Sequence, residues 1–275
     1  MNYKDILVYI DDGDSNAERV KAALLLAKFH DAHLTGVTLA SVRPRHLKIA
    51  DNKAEIRISQ VEAEKRAESF VELAEEQGIS ADSRVITGDM GEAAQKFAQF
   101  CRNFDLLMLR QANPQSRNFS LIKEVTQEVL LYSGRPIFFM PYIGAHRIPC
   151  KKAMIAWDGT APATRAVHDA LPMLRQLEEV IILVVQEGKQ KTEKGQLLAK
   201  NLIKHLARHG VNAQVKRVTT GSFDVPTVLL NQIAESDIDL LVMGGYGTPK
   251  LKQKIFGGVT RTLLSSMLIP VFMSH

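Results

Sequence analysis

The sequence predicts two tandem α/β domains, each a doubly wound, Rossmann-like sheet of five parallel strands in the order 3-2-1-4-5. Three observations support this prediction. The 275 residues suffice for one large or two ordinary domains, the second half repeats the first, and apolar runs alternate with segments of helical periodicity. In a sheet of this order strands one and four are neighbours, and ligands bind at the carboxyl ends of the strands where the strand order reverses.

The internal repeat is clearest near the end of each half. The segment that begins at Asp105 aligns without a gap with the segment that begins at Asp239, a constant offset of 134 residues. Eight residues of the first segment recur as identities in the second: Asp105, Leu106, Leu107, Val125, Thr126, Leu130, Pro136 and Phe138. The repeat predicts one domain over residues 1–143 and another over 150–275, the first longer by about 14 residues near 43–53.

Five apolar runs in each copy predict the strands. They are ILVYI, HLTGVTL, SRVIT, LLMLR and IFFM in the first copy, and AMIAW, VIILVV, VKRVT, LLVMG and VFM in the second. Near-continuous apolar runs are typical of parallel strands that helices cover on both faces. The extra residues 43–53 are predicted to form an exposed, mobile excursion between the second strand and its helix. A stripe in that helix is predicted to lie in the core: Val61, Ala67, Phe70, Val71 and Ala74.

Composition and charge disfavour several classes of protein. The start of the chain does not resemble a signal peptide, and no apolar stretch reaches the roughly 18 residues that cross a membrane, so we expect neither export nor a membrane span. The two cysteines lack CxxC spacing, which favours a reducing, cytoplasmic location. The 35 Lys and Arg residues are scattered among 30 acids, and aromatic residues are only 6%, so nucleic-acid binding is not expected.

No catalytic or metal-binding constellation is visible in the sequence. His205 and His209 stand four residues apart on a predicted helix, a spacing that can serve zinc, but no third ligand accompanies them in sequence. We interpret them as solvated helix residues and expect no resident metal. No Ser, His and Asp set with nucleophile-elbow glycines is present either, so we expect no dedicated enzyme.

A glycine-rich segment follows the fourth strand of the second copy. Gly244, Gly247 and Gly257 have the spacing G-x2-G-x9-G, and Gly258 follows directly. Glycines allow a backbone to approach an anion and to point its N–H groups at it, and the next helix directs its positive end to the same place. Such a loop can hold phosphates, or it can be a strand-to-helix turn that uses glycine for flexibility.

Asp158 follows the first strand of the second copy and is expected to lie opposite Gly244. Its carboxylate can accept a hydrogen bond from an adenine amino group, or it can bond only the backbone of its own turn. Neither a P-loop nor a dinucleotide fingerprint occurs after the first strand, which disfavours both of those nucleotide-binding classes.

With these motifs, both halves resemble universal stress protein domains, and the chain resembles a tandem member of that family over almost its whole length. In ATP-binding members, an Asp after strand one and a Val at the end of strand two meet the adenosine, and a G-x2-G-x9-G-[ST] loop holds ribose and phosphates. The resemblance implies ATP or another adenine nucleotide as ligand, with or without magnesium. The predicted binding residues are Asp158, Val185, Met243, Gly244, Gly247, Gly257, Gly258 and Thr260.

The sequence departs from the family pattern in both copies. In the second copy, Gly258 stands where the family has a hydroxyl residue; Thr260 or Thr248 is a candidate substitute, and we expect weakened triphosphate binding. In the first copy every loop glycine is replaced, and we expect no nucleotide there, with Arg110 as a hypothetical occupant of the vacated anion position. The replacements are Arg110, Gln111, Asn113, Lys123 and Glu124.

The sequence therefore predicts a stress-response protein whose C-terminal domain binds an adenine nucleotide and which acts as a sensor or regulator. The alternatives are a non-binding scaffold, a basic nucleic-acid-associated module and a slow ATPase. The resemblance also implies an intramolecular pseudo-dimer through the last strands, PIFF and PVFM, because family domains resemble dimers paired along that edge. A homodimer of two such chains is a further expectation that the sequence leaves open.

Overall fold

The computed structural model describes residues 2–42, 49–144, 146–186, 193–245 and 258–275. Side chains are described for all of these except residues 42, 49–56 and 193–198. The chain divides into two compact units, Asn2–Ile143 and Gly144–His275.

The first unit is a five-stranded parallel sheet with helices between the strands. Counted along the chain, its five strands lie in the order 3-2-1-4-5. A short 3-10 turn, Cys101–Asn103, follows the third helix. The elements are β1 (Asp5–Ile10), α1 (Asn16–His30), β2 (His33–Val42), α2 (Ile49–Glu76), β3 (Ala81–Asp89), α3 (Met90–Phe100), β4 (Leu106–Arg110), α4 (Phe119–Tyr132) and β5 (Ile137–Met140).

The second unit repeats this plan, and its own five strands lie in the same order, 3-2-1-4-5. The doubly wound fold and the strand order 3-2-1-4-5 predicted for each copy are thus confirmed. The elements are β6 (Lys152–Ala156), α5 (Ala161–Leu174), β7 (Glu179–Gln186), α6 (Glu193–Arg208), β8 (Ala213–Thr219), α7 (Val225–Glu235), β9 (Leu240–Gly244), α8 (Gly258–Ser266) and β10 (Val271–Ser274).

The repeated aspartates have a structural role at the amino edge of each sheet. Asp105 Oδ2 accepts hydrogen bonds from the backbone N–H groups of Lys4 at 2.7 Å and Asp5 at 3.2 Å. Asp239 Oδ1 accepts from Lys151 N at 3.1 Å and from the next backbone N–H at 2.9 Å. In both units one carboxylate therefore joins the start of the fourth strand to the start of the first.

The central strands lie in the core of each unit. All five residues of β4 and all four of β5 are buried, as parallel strands covered on both faces require. The helices supply the covering layer. The Phe70 ring of α2, for example, packs so close to β2 that a Cβ at Gly36 would lie 2.5 Å from it. Glycine at position 36 thus lets α2 approach the sheet.

The predicted core stripe of α2 is correct in part. Val61 is 47% exposed, and Val71 is half-buried. The prediction that Val61 lies in the core was wrong, because Val61 falls outside the i, i+4, i+7, i+11 row that faces the sheet. That row is Ala63, Ala67, Phe70 and Ala74, all buried.

The predicted excursion near residues 43–53 is wrong for residues 49–53, which are helical. Residues 43–48 lie outside the described part of the chain, but α2 already begins at Ile49. Residues 49–53 contain neither Gly nor Pro, so nothing in them prevents the helix from extending toward β2. Part of the extra length of the first copy is therefore helix.

Among the described residues, none of the helices is both long enough and apolar enough to span a bilayer.

Candidate functional site

Three of the predicted site residues of the second unit, Asp158, Val185 and Gly244, lie at the carboxyl edge of its sheet. Ala156, the last residue of β6, is in register with Leu183 of β7 and Met243 of β9. Asp158 lies two residues beyond Ala156, and Val185 lies two residues beyond Leu183. Because the three strands are parallel and adjacent, Asp158, Val185 and the end of β9 are neighbours at this edge.

Asp158 has an exposed side chain and orders the turn that leads into α5. Its Oδ1 accepts hydrogen bonds from Thr160 N at 2.9 Å and Thr160 Oγ1 at 2.7 Å. Thr160 in turn is the N-cap of α5, accepting from Ala163 N at 3.4 Å. The local role considered from the sequence, bonding of its own turn, is therefore realised.

Gly244 allows a close contact between β9 and the first turn of α5. A Cβ at this position would lie 2.5 Å from the backbone N of Ala163 and 2.7 Å from the carbonyl carbon of Pro162. Backbone atoms, unlike the end of a flexible side chain, cannot move aside from such a contact without a substantial cost in free energy. Glycine is thus required at position 244 for packing, whatever else it does.

Met243 and Val185 have ordinary positions in the sheet. Met243 is 5% exposed and is in register with Met273 of β10. Val185 is half-buried and is in register with Val218 of β8. Either residue can present only part of its surface to a ligand at the sheet edge.

The segment between β9 and α8 is only partly described. Gly247 and Gly257 lie outside the described residues. Gly258 begins α8, is exposed, and has open space around the place where a Cβ would stand. Thr260, one turn into α8, is 4% exposed, and its repeat counterpart Thr126 is 6% exposed. Burial in both copies favours a packing role for Thr260.

At the same edge of the first unit the space is filled by an arginine clamp, consisting of Asp11, Arg19 and Arg110. Arg19 Nη2 donates to Asp11 Oδ1 at 2.8 Å, and Arg110 Nε lies 3.0 Å from Asp11 Oδ2. All three side chains are at least 95% buried. A Cβ at Gly13 would collide with the Arg110 guanidinium, so that group also lies against the turn after β1.

The loop between β4 and α4 contacts both the arginine clamp and the turn that follows β1. Arg110 Nη2 donates to Ser116 Oγ at 3.3 Å. Arg117 forms an ion pair with Asp12, and Asn118 Nδ2 donates to Asp12 Oδ1 at 2.9 Å. The loop that would carry phosphate-binding glycines is instead tied to the end of β1.

Burial sets the electrostatics of the clamp. Desolvation lowers the pKa of Arg19, and the carboxylate of Asp11 opposes this shift. Arg19 Nε also donates to the Tyr9 carbonyl at 2.7 Å, and burial followed by the charge of Asp11 raises the pKa of the Tyr9 hydroxyl. The negative charge of Asp11 is therefore compensated from inside the protein.

The second unit lacks both arginines of the clamp. When Asp11 is aligned with Asp158, Arg19 corresponds to Ala166, which is fully buried, and Arg110 corresponds to Gly244. The positions of the glycine loop reveal only the second of these differences, because Arg19 and Ala166 lie on helices outside that loop. An Arg-to-Ala difference inside an otherwise apolar helix face was the signal that could have found the first.

Metal binding has no preformed site in the described part of the chain. Among these residues, no group of three or more His, Cys, Asp or Glu side chains is arranged to hold a metal ion. The structure nevertheless brings a third histidine, His168 of α5, beside His205 and His209. Sequence spacing does not indicate this neighbour, because His168 lies on a different helix.

Two doubly wound α/β units in tandem, each with an Asp after its first strand, define a Rossmann-like protein built by duplication. The universal stress protein family model matches residues 2–132 and 149–275, and the chain belongs to this family.

Solved structures share this fold at low sequence identity. A universal stress protein from Archaeoglobus fulgidus DSM 4304 is 17% identical, with a TM-score of 0.73 over 98% of this chain and 96% of that chain. A structure described as a putative universal stress protein from Pseudomonas aeruginosa UCBPP-PA14 is 12% identical, with a TM-score of 0.64 over 99% of this chain and 93% of that chain. No curated protein sequence matches significantly.

Proposed function

We propose that the second unit binds an adenine nucleotide, preferably ATP, with or without magnesium, that the first unit binds none, and that the chain acts as a nucleotide-dependent sensor or regulator. One observation carries the proposal: the two copies differ in what faces the Asp after the first strand. Asp11 is held between two buried arginines, whereas Asp158 is exposed and has Ala166 and Gly244 at the corresponding positions.

The chemistry of the second unit suits a nucleotide. An exposed carboxylate can accept a hydrogen bond from the adenine amino group beside Val185, and the backbone N–H groups of the glycine loop suit phosphates. The amino end of α8 adds its positive dipole, and Gly258 leaves it open to an anion. Membership of the universal stress protein family supports the same assignment.

The chemistry of the first unit opposes a nucleotide. The Arg110 side chain fills the crevice, and its interactions with Asp11 and Ser116 would be lost if a ligand displaced it. Glu124 stands on α4 where the second unit has Gly258, and its charge repels phosphates.

A tryptophan titration tests the proposal directly. Trp157 is the single tryptophan of the chain and immediately precedes Asp158, so its fluorescence reports on the second unit alone. We expect the fluorescence to change saturably as ATP is added, and we expect calorimetry to give a stoichiometry of one ATP per chain. Ligand retained through purification would appear as excess absorbance at 260 nm and can be identified by mass spectrometry.

Matched variants at equivalent positions assign the site to one unit. Gly247→Val is expected to weaken ATP binding by at least about ten-fold, because a branched side chain blocks close backbone approach. Asn113→Val, at the same repeat position of the first unit, is expected to leave affinity unchanged. If only Asn113→Val lost ATP binding, the site would lie in the first unit, against the proposal. If the wild type bound no ATP, the alternative of a non-binding scaffold would be favoured.

The remaining alternatives give different results in the same preparation. A slow ATPase would release phosphate at a rate abolished by replacing one acidic residue. A nucleic-acid module would bind oligonucleotides with a steep dependence on salt. We expect neither behaviour.

Location and assembly complete the proposal. Cys101 and Cys150 are free, buried thiols, which suits a reducing compartment and a cytoplasmic location. Pairing of the two copies through their last strands, and association of two chains, stay predictions.

A further inference from the structure

Three histidines of the second unit form a cluster outside the proposed nucleotide site. The histidine cluster consists of His168 on α5, His205 on α6, and His209 just after α6. Its ring centres are 5.4 Å apart for His168 and His205, 6.3 Å for His168 and His209, and 4.6 Å for His205 and His209. His205 and His209 are half-buried, and His168 is exposed. The cluster thus joins two helices through imidazole contacts.

The geometry requires an unprotonated nitrogen in this cluster. Arg175 Nη2 lies 2.9 Å from His209 Nδ1. A guanidinium can only donate, so Nδ1 of His209 must accept. A proton on Nδ1 would remove the lone pair and break this bond, turning an attraction into a repulsion between two cations.

The charged groups that lower the pKa of His205 all have the same sign. Burial, followed by the neighbouring His209, His168 and Arg208, lowers the pKa of His205 below its ordinary value. Arg175 lies against His209 as well, so a second arginine contacts these imidazoles. Each added proton therefore meets positive charge.

We propose that the histidine cluster makes the contact between α5 and α6 acid-sensitive, holding the two helices together at neutral pH and loosening them when the imidazoles are protonated. The separated helices bind protons more readily than the packed ones, so acid shifts the equilibrium toward separation. This inference does not depend on the proposed nucleotide site. Acid sensitivity would act on α5, the helix whose first turn packs against Gly244.

Hydrogen exchange followed by mass spectrometry tests this at the level of single helices. Exchange is compared at pH 7.5 and 5.5 after correction for the intrinsic chemical rate. In the wild type, protection of peptides from α5 and α6 is expected to fall by about two-fold or more at pH 5.5, because a proton on the cluster favours the separated helices.

Variants separate the cluster from general acid effects. The triple variant His168→Gln, His205→Gln and His209→Gln is expected to keep its protection in α5 and α6 at pH 5.5. His33→Gln, a substitution of a half-exposed histidine in the first unit, should behave like the wild type in these peptides. An equal loss of protection in the triple variant, or no loss in the wild type, would overturn the inference.

An NMR titration of the unmodified protein provides an independent measurement if the triple variant folds poorly. The imidazole of His205 is expected to titrate below the usual value of about 6.5 for histidine, with chemical-shift changes that extend into α5. Titration at the usual value, with no response in α5, would also overturn the inference.

Discussion

Replacement of Asp11 by Asn is expected to destabilise the first unit strongly. Asparagine has nearly the same shape, so the substitution creates no cavity and removes only the charge. It leaves the Arg19 and Arg110 side chains, 0% and 3% exposed, without their carboxylate. The NH2 group of the new amide, which can only donate, also lies beside a guanidinium in either orientation of the amide.

The size of the effect follows from this burial. Removal of one partner from a buried ion pair typically costs about 3 to 5 kcal/mol, because the remaining charge is left uncompensated in a medium of low polarity. A whole domain is stabilised by only about 5 to 15 kcal/mol. Asp11→Asn should therefore take away a large fraction of the free energy of unfolding of the first unit.

The internal repeat supplies the matched control, Asp158→Asn. Asp158 is exposed, and an asparagine Oδ1 can still accept from Thr160 N and Oγ1. The expected change in stability is within about 0.5 kcal/mol. The same substitution at the same repeat position is thus expected to destabilise the first unit strongly and to leave the stability of the second almost unchanged.

Two optical probes distinguish the units during urea unfolding. Circular dichroism reports on both units, whereas the fluorescence of Trp157 reports on the second. For Asp11→Asn we expect an early transition in circular dichroism that the fluorescence does not follow, while Asp158→Asn unfolds like the wild type. If Asp11→Asn cost no more than Asp158→Asn, the arginine clamp would not be the element that closes the first unit.

Three further expectations concern single residues. Burial lowers the pKa of His30 to about 4, so the unfolded chain binds more protons between pH 6.5 and 4 and the first unit loses stability as pH falls. In urea unfolding, the free energy of unfolding of the first unit should fall by about 2 kcal/mol between pH 7 and 5, and His30→Leu should lack this decrease. The same pH dependence in the variant would show that His30 is not its cause. Gly244→Ala should destabilise the second unit by roughly 1 to 3 kcal/mol, because the new Cβ meets the Ala163 backbone. Unfolding followed by Trp157 fluorescence measures this change, and an unchanged stability would show that α5 can shift to make room for the Cβ. Gly258→Ser has room for its side chain and should tighten ATP binding by up to about ten-fold in calorimetry, with Gly258→Ala as the control that lacks the hydroxyl; equal affinities of the two variants would argue against a phosphate contact at this position.

The sequence by itself determined the two-copy architecture, the sheet order and the contrast between the two loops. These are properties of periodicity and repetition: apolar runs identify strands, and a gapless offset aligns β4 with β9 and β5 with β10. The loss of loop glycines in the first copy could be recognised in the same way, since it depends only on which residue occupies each aligned position.

Only the tertiary structure decided what replaces a ligand in the first unit. Arg19 and Arg110 are 91 residues apart in sequence, and their meeting on Asp11 depends on β1 and β4 being neighbours and on α1 directing Arg19 to the same point. The second role of Gly244, clearance for α5, and the approach of His168 to His205 have the same origin. Side-chain contacts between elements depend on helix orientation and packing distance, and these quantities are set by the folded chain as a whole rather than by any local pattern.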